Sequence, residues 1–285
     1  NHCKPHPTLP ILQTDKESFL FRNEANHFLS PDMKKVFEKA ADEETSSLGR
    51  QILGQLKENL EIAGSDMIPI CQDTGMAVVF ISVGQEVHIE GGSLTEAINE
   101  GVRQGYVDGY LRKSVVKDPI ERENTKDNTP AVIHYDIVPG DKIDITIAPK
   151  GFGSENMSRV FMLKPADGIE GVKEAILKAV KDAGPNACPP MVVGVGIGGT
   201  FEKCALLAKK ALTRDLDGER PSGYVRELED EMLEKINSLG IGPGGLGGTK
   251  TALAVNVETY PTHIAGLPVA VNICCHVNRH VHRVI

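Results

Sequence analysis

Apolar residues recur along this chain at two periods, and their alternation lays out helices and strands in irregular order. Ser30-Pro31-Asp32 reads as an N-cap, a proline at the first helical position and an early acid, so a helix should begin there. Val36, Ala40, Leu48, Ile52, Leu56, Leu60 and Ile62 continue it at mostly helical spacing to about Ala63, with one break near Glu43 and a stop at Gly64-Ser65-Asp66. A strand is expected over Ala77–Val83, then a helix over Leu94–Lys113 with Arg112 near its C-terminal end. Ala131–Ile137 and Lys142–Ala148 read as two strands of a hairpin around Pro139-Gly140-Asp141. Helices follow near 169–183, 200–213 and 224–239, with a strand at 191–197 and final strands at Thr251–Val257 and Leu267–Ile273. The expected fold class is α+β or mixed α/β, a layered domain of mixed sheets flanked by helices and not a doubly wound Rossmann fold. Residues 1–28 lack a period and read as an N-terminal arm, leaving 29–285 as the main domain. The polar, proline-bearing stretch 117–130 reads as a surface loop and a candidate subdomain boundary.

Composition narrows the function classes. At 285 residues, 40% hydrophobic and 25% charged, the chain can build a sizeable core. No apolar run approaches the ~18–20 residues of a membrane span, so no membrane role is expected. A net charge of −8 argues against nucleic acid. The opening residues resemble neither a signal nor a transit peptide, and the six cysteines include no CxxC pair. A reducing, cytoplasmic setting follows as the expectation.

Candidate chemistry sits where short apolar segments run into Gly/Pro-rich loops. These are Pro69–Gly75, Lys150–Asn156, Ala187-Cys188-Pro189-Pro190 and Ile273-Cys274-Cys275-His276. Three loop thiolates far apart in sequence suit one soft metal site, while buried, inert thiols remain the alternative. A cubane takes four thiolates, so three would leave one iron open as a Lewis acid. Cys204 lies in a helical apolar pattern and reads as core, and Cys3 lies in the arm. Asp73, two residues after Cys71, is placed to exchange a proton or to form a turn before Thr74-Gly75. His263 reads as a strand-edge histidine, and Arg112 as a cation at a helix end. Gly194, Gly196 and Gly199 match GxGxxG, but no acid ends a strand ~20 residues on. Ile241–Lys250 lacks Walker spacing. Close backbone approach is the expected role of both glycine runs.

Taken jointly, Ile70–Gly75, Lys150–Asn156, Ala187–Pro190, Gly198-Gly199-Thr200, Gly240–Lys250 and Cys275 with Arg279 resemble the class I, iron–sulfur fumarases. The chain is similar to the α subunit of the two-subunit form, in the fumarase / L-tartrate dehydratase α family, from about residue 25 onward. The resemblance implies a [4Fe–4S] cluster on Cys71, Cys188 and Cys275 with one open iron. It further implies substrate contacts from Gln72, Asp73, Arg112, Gly153 and His263, with Asp73 as catalytic acid. The implied reaction is reversible hydration of fumarate to (S)-malate, or alternatively dehydration of L-tartrate to oxaloacetate. The family's threonine base belongs to the β region, so the resemblance implies a separate β subunit, an α2β2-type oligomer, and a chain inactive alone. Phe152 and Met157 depart from the usual glycine turn, which bears on substrate choice. A non-catalytic iron–sulfur sensor or electron-transfer protein is the reading from another class, although a carrier would want four ligands and has no use for Asp73.

Overall fold

The computed structural model describes residues 8–10 and 24–285, which fall into two compact units. One gathers residues up to Ser30 with Ile62–Lys150 and Arg279–Ile285, and the other Pro31–Glu61 with Gly151–Asn278. Each carries one open, four-stranded mixed sheet flanked by helices, the expected fold class. No described helix is long and apolar enough to cross a membrane. Cys3 and most of the expected N-terminal arm lie outside the described residues; within that stretch Thr8–Pro10 forms β1.

The helical pattern after Ser30 resolves into α1 (Pro31–Glu43) and α2 (Ser47–Asp66), with the break where expected. The Ser30 hydroxyl is buried and has no partner among the described residues, so this start rests on Pro31 and Asp32 and not on a side-chain cap. Helix α2 passes the expected glycine stop and ends where Met67 turns left-handed (φ 53°).

In the first unit the centre is β2 (Met76–Gly84). It pairs parallel with β4 (Val132–Val138) and antiparallel with β5 (Ile143–Lys150), and β10 (Val281–Val284) extends the sheet beyond β5. The short β3 (His88–Glu90) pairs with β1. The order β10-β5-β2-β4 overturns the expected hairpin, because β2 lies between the two strands that are neighbours in sequence. Strand β2 is a nearly unbroken apolar run that needs a partner on each edge. The Pro139–Asp141 turn passes over its end, where the Gly84 N–H donates to Lys142 O (2.8 Å) and the Gln85 N–H to Val138 O (2.8 Å).

Helix α3 (Leu94–Asp108) starts on Ser93, whose Oγ accepts the Glu96 N–H. Its Ile98 packs with Val79, Ile81, Ile143, Ile145 and Ile147, while Val102 and Tyr106 pack with Ala77 and Leu111. Each fully buried aliphatic side chain of this kind contributes ~1.5–3 kcal/mol. The helix stops earlier than expected: after Gly109, Tyr110 is left-handed (φ 53°), which turns Leu111 into the core. Arg112 therefore lies beyond the helix, and its expected place at a helix end is wrong.

In the second unit the sheet runs β6-β9-β7-β8, from β6 (Arg159–Leu163), β7 (Met191–Gly198), β8 (Ala252–Tyr260) and β9 (Leu267–Cys274). The turn at Lys150–Asn156 contains a four-residue helix, α4 (Phe152–Glu155). Longer helices follow: α5 (Gly168–Ala183), α6 (Phe201–Ala211) and α7 (Tyr224–Asn237). Strand β7 is buried throughout, and its two faces differ. Val193, Val195 and Ile197 enter the main core with Val172, Ile176, Leu228 and Met232 of α5 and α7. Gly194 and Gly196 lie against the α6 backbone: a Cβ would meet Ala208 O at 2.2 Å and Cys204 O at 2.0 Å. The GxGxxG spacing is thus a strand period set by helix approach, as expected for a close backbone contact.

Candidate functional site

Between α2 and β2 the chain enters Ile70–Gly75, where Cys71 is half-buried, Gln72 exposed and Asp73 half-buried. Within this loop the Asp73 N–H points at Cys71 Sγ (3.4 Å), the polarity that suits a metal-bound thiolate. Asp73 Oδ1 accepts the Gly75 N–H (3.0 Å), so the turn-forming role open to Asp73 is present and fixes its carboxyl. Gly75 is left-handed (φ 79°), and a Cβ there would lie 2.7 Å from Pro149 C. No other residue type fits.

Three neighbours hold this loop by its backbone, and the Thr74 side chain adds a fourth contact. The buried Tyr106 hydroxyl lies 2.9 Å from both Thr74 O and Gly75 O. Asn128, fully buried and left-handed, donates from Nδ2 to Gly75 O (3.1 Å) while its Oδ1 accepts the N–H groups of Ser114 and Val115. Thr74 Oγ1 donates to Arg112 O (3.1 Å), which ties the segment bearing the exposed Arg112 to the Asp73 loop. Arg279 donates from Nη2 to Asp73 O and from Nε to Pro149 O (3.1 Å).

In the second unit Cys188 is exposed and left-handed (φ 52°) at the end of the 3-10 turn Gly184–Ala187. Such a conformation costs a non-glycine residue ~1–2 kcal/mol and persists only where neighbours dictate it. Here the His276 N–H and Nδ1 both reach Cys188 O, at 3.3 and 3.0 Å. That brings the Cys188 turn beside the Cys275-His276 turn. Gly244 N–H donates to Pro189 O (2.8 Å), adding the Gly240–Lys250 loop. That loop is fastened in turn by Glu44, whose buried carboxylate accepts the N–H groups of Thr249 (2.9 Å) and Lys250 (2.8 Å) and the Thr249 hydroxyl (3.0 Å). The N–H groups of this glycine-rich loop that converge on an anion are taken by the chain's own carboxylate.

Gly153 is exposed within α4, which is anchored by Glu155 through contacts to Lys209 and Asn272 Nδ2. His263 lies beyond the end of β8 in an exposed loop and is not on a strand edge. Its Nδ1 accepts the Ala265 N–H (3.2 Å), which leaves Nε2 as the donor. The first unit therefore holds Cys71, Gln72, Asp73 and Arg112, and the second holds Gly153, Cys188, His263 and Cys275.

The five described cysteines form no disulfide with one another and fall into two classes. Cys71, Cys188 and Cys275 are accessible on loops, whereas Cys204 and Cys274 are buried. Burial pushes the Cys204 thiol up, away from the thiolate a metal needs. No group of three or more His, Cys, Asp or Glu side chains stands ready for a metal ion among the described residues. The chemistry of the three loop donors nevertheless fits an iron–sulfur group: each is an accessible thiol, and Cys71 Sγ already accepts a backbone N–H. Tyr106, Asn128 and Glu44 escaped the sequence reading, and His276 entered it only as part of the Ile273–His276 stretch; the helix break expected near Glu43 is the one sequence hint, and it lies beside Glu44.

Comparison with known proteins identifies the family. Residues 19–284 match the family described as fumarate hydratase (Fumerase). A Methanocaldococcus jannaschii protein provisionally named L(+)-tartrate dehydratase subunit alpha is 44% identical over 91% of this chain and 93% of its own length. The L(+)-tartrate dehydratase subunit alpha of an Escherichia coli strain (UTI89) is 33% identical over 87% of this chain and 82% of its own. The chain belongs to the fumarate hydratase (Fumerase) family of hydro-lyases.

Proposed function

We propose that this chain is the cluster-bearing α subunit of a hydro-lyase that interconverts fumarate and (S)-malate. The observation that carries the reading is the Ile70–Gly75 loop: a thiol, a carboxamide and a carboxyl on consecutive residues, with the backbone beneath them held at Asp73, Thr74 and Gly75. Cys71, Cys188 and Cys275 would supply three thiolates to a [4Fe–4S] cluster. When bound, that group would supply a Lewis-acidic iron for a substrate oxygen.

The remaining chemistry belongs to this chain's side chains. In dehydration Asp73 gives a proton to the departing hydroxyl, and in hydration it takes one back. Its Oδ1 is held by the Gly75 N–H, so its direction is preset. Removing the carbon-bound proton builds charge toward a carboxylate, which Arg112 and the Nε2 of His263 offset. Gln72 and Gly153 position the dicarboxylate. The base comes from a separate β subunit in an α2β2-type assembly; the relatives' names, subunit alpha, support such a partner. Accessible loop thiols suit a reducing, cytoplasmic setting.

L-tartrate is the second reading, favoured by the names of the same relatives. The test is to purify the α–β complex without oxygen, load iron and sulfide, and assay fumarate hydration beside L-tartrate dehydration. Fumarate turnover with the higher kcat/KM supports the first reading, L-tartrate preference replaces it with the second, and a loaded complex active on neither refutes both.

A further inference from the structure

We propose that Arg279 is a positioning residue whose buried guanidinium sets the direction in which Asp73 leaves its loop. This deepens the reading above and rests on it for the identity of the site.

Arg279 is 4% exposed. Its Nη2 holds Asp73 O and its Nε holds Pro149 O, the carbonyl of the residue against which Gly75 is pressed. One planar group thus bridges the two strands of chain that define the Asp73 turn. Among the described residues Arg279 has no carboxylate partner, and its Nη1 is buried without a hydrogen bond. A buried cation paired only with carbonyls costs several kcal/mol in general, more than two hydrogen bonds return. Packing alone would favour an apolar side chain here. The arrangement makes sense if the fork is kept for what it holds. Arg279 also begins the last segment of the chain, with only His276, Val277 and Asn278 between it and Cys275. His276 holds Cys188 O and Asn278 holds Leu212 O, so this short run consists largely of residues that fasten other loops.

Lysine keeps the charge but cannot hold two carbonyls in fixed geometry. A misplacement of about 1 Å in catalytic groups costs ~100-fold in rate. The test uses Arg279→Lys and Arg279→Gln in the full chain, alone and in the α–β complex, with Arg283→Gln as the neighbouring control, since Arg283 sits on the exposed face of β10 against Glu24.

In the chain alone, amide exchange at residues 72–75 should rise ~10-fold or more in both Arg279 variants, with the centre of β2 unchanged. In the loaded complex, kcat should fall ~10–100-fold while KM moves less than ~3-fold, and the control should match wild type. Unchanged exchange at 72–75 overturns the proposal, even if the complex proves inactive on every dicarboxylate. Unchanged kcat in both variants, with wild type active, overturns it independently. If Arg279→Gln unfolds, Arg279→Lys still decides between these outcomes.

Discussion

Five described cysteines share one side chain and differ in what surrounds it. Cys204 packs on Ala208 and Ala270 with its Sγ turned to Phe201 O, whereas Cys71, Cys188 and Cys275 sit on loops. Serine at any of the three loop positions removes a thiolate, and iron per chain after anoxic loading should drop to near background. Cys204→Ser should load like wild type and lose only about 1 kcal/mol of stability. Equal iron in all four variants would sink the ligand assignment. Asp73→Asn preserves the Oδ1 acceptor for the Gly75 N–H but cannot shuttle a proton. It should keep its iron and lose ~100- to 10,000-fold in kcat; unimpaired turnover would leave Asp73 as a turn former alone. Much of this was legible in the sequence because Cys-Gln-Asp-Thr-Gly carries its chemistry on adjacent residues. The supports were not, because Tyr106, Asn128 and Arg279 reach the loop only through long-range contacts.

Strand β7 and the Glu44 loop show how whole elements are held. Gly196→Ala would drive a methyl into Cys204 O, which belongs to a helix backbone that cannot step aside cheaply. A loss of about 3 kcal/mol or more is expected, read as a fall in the denaturation midpoint. Glu44 is a different kind of fastening. Burial opposes its ionisation, but hydrogen bonds from Thr249, Ser46 and Lys250 outweigh this and hold the carboxyl below its ordinary value. Its stabilisation is therefore complete above pH ~4.5, the ordinary glutamate range, and is lost as pH falls through the lower folded value. Glu44→Gln should cost about 1.5–3 kcal/mol at pH 7, and the gap to wild type should shrink on acidification below pH ~4.5. A gap that stays constant with pH would show that the Glu44 charge does not fasten the loop. Type and order of the longer elements followed from apolar periodicity, while the edge strands β6 and β10 and the strand pairing did not. Strands β4 and β5 look like a hairpin from their own residues, and only the demand of β2 for two partners separates them.

At the scale of the molecule, the question is what one polypeptide supplies to a two-sided reaction. Hydration needs an oxygen on one carbon and a proton on the next, so a hydro-lyase needs an acid and a base at distinct positions. In the proposed reading Asp73, with Arg112 as a cation, would act as the acid from the first unit, and His263 and the remaining thiols would come from the second. Among these groups none is assigned to take the carbon-bound proton, and that role falls to the proposed partner. The chain alone, loaded without oxygen, should therefore carry iron comparable to the complex yet turn over fumarate at below ~1% of its rate, since a missing general base costs ~100-fold or more. Adding the β subunit should restore turnover without further iron. The open iron implied by three thiolates should make the restored activity sensitive to air, with loss of rate accompanied by loss of iron. A chain that turns over alone at the rate of the complex would place the base among its own residues and remove the need for a partner at the site.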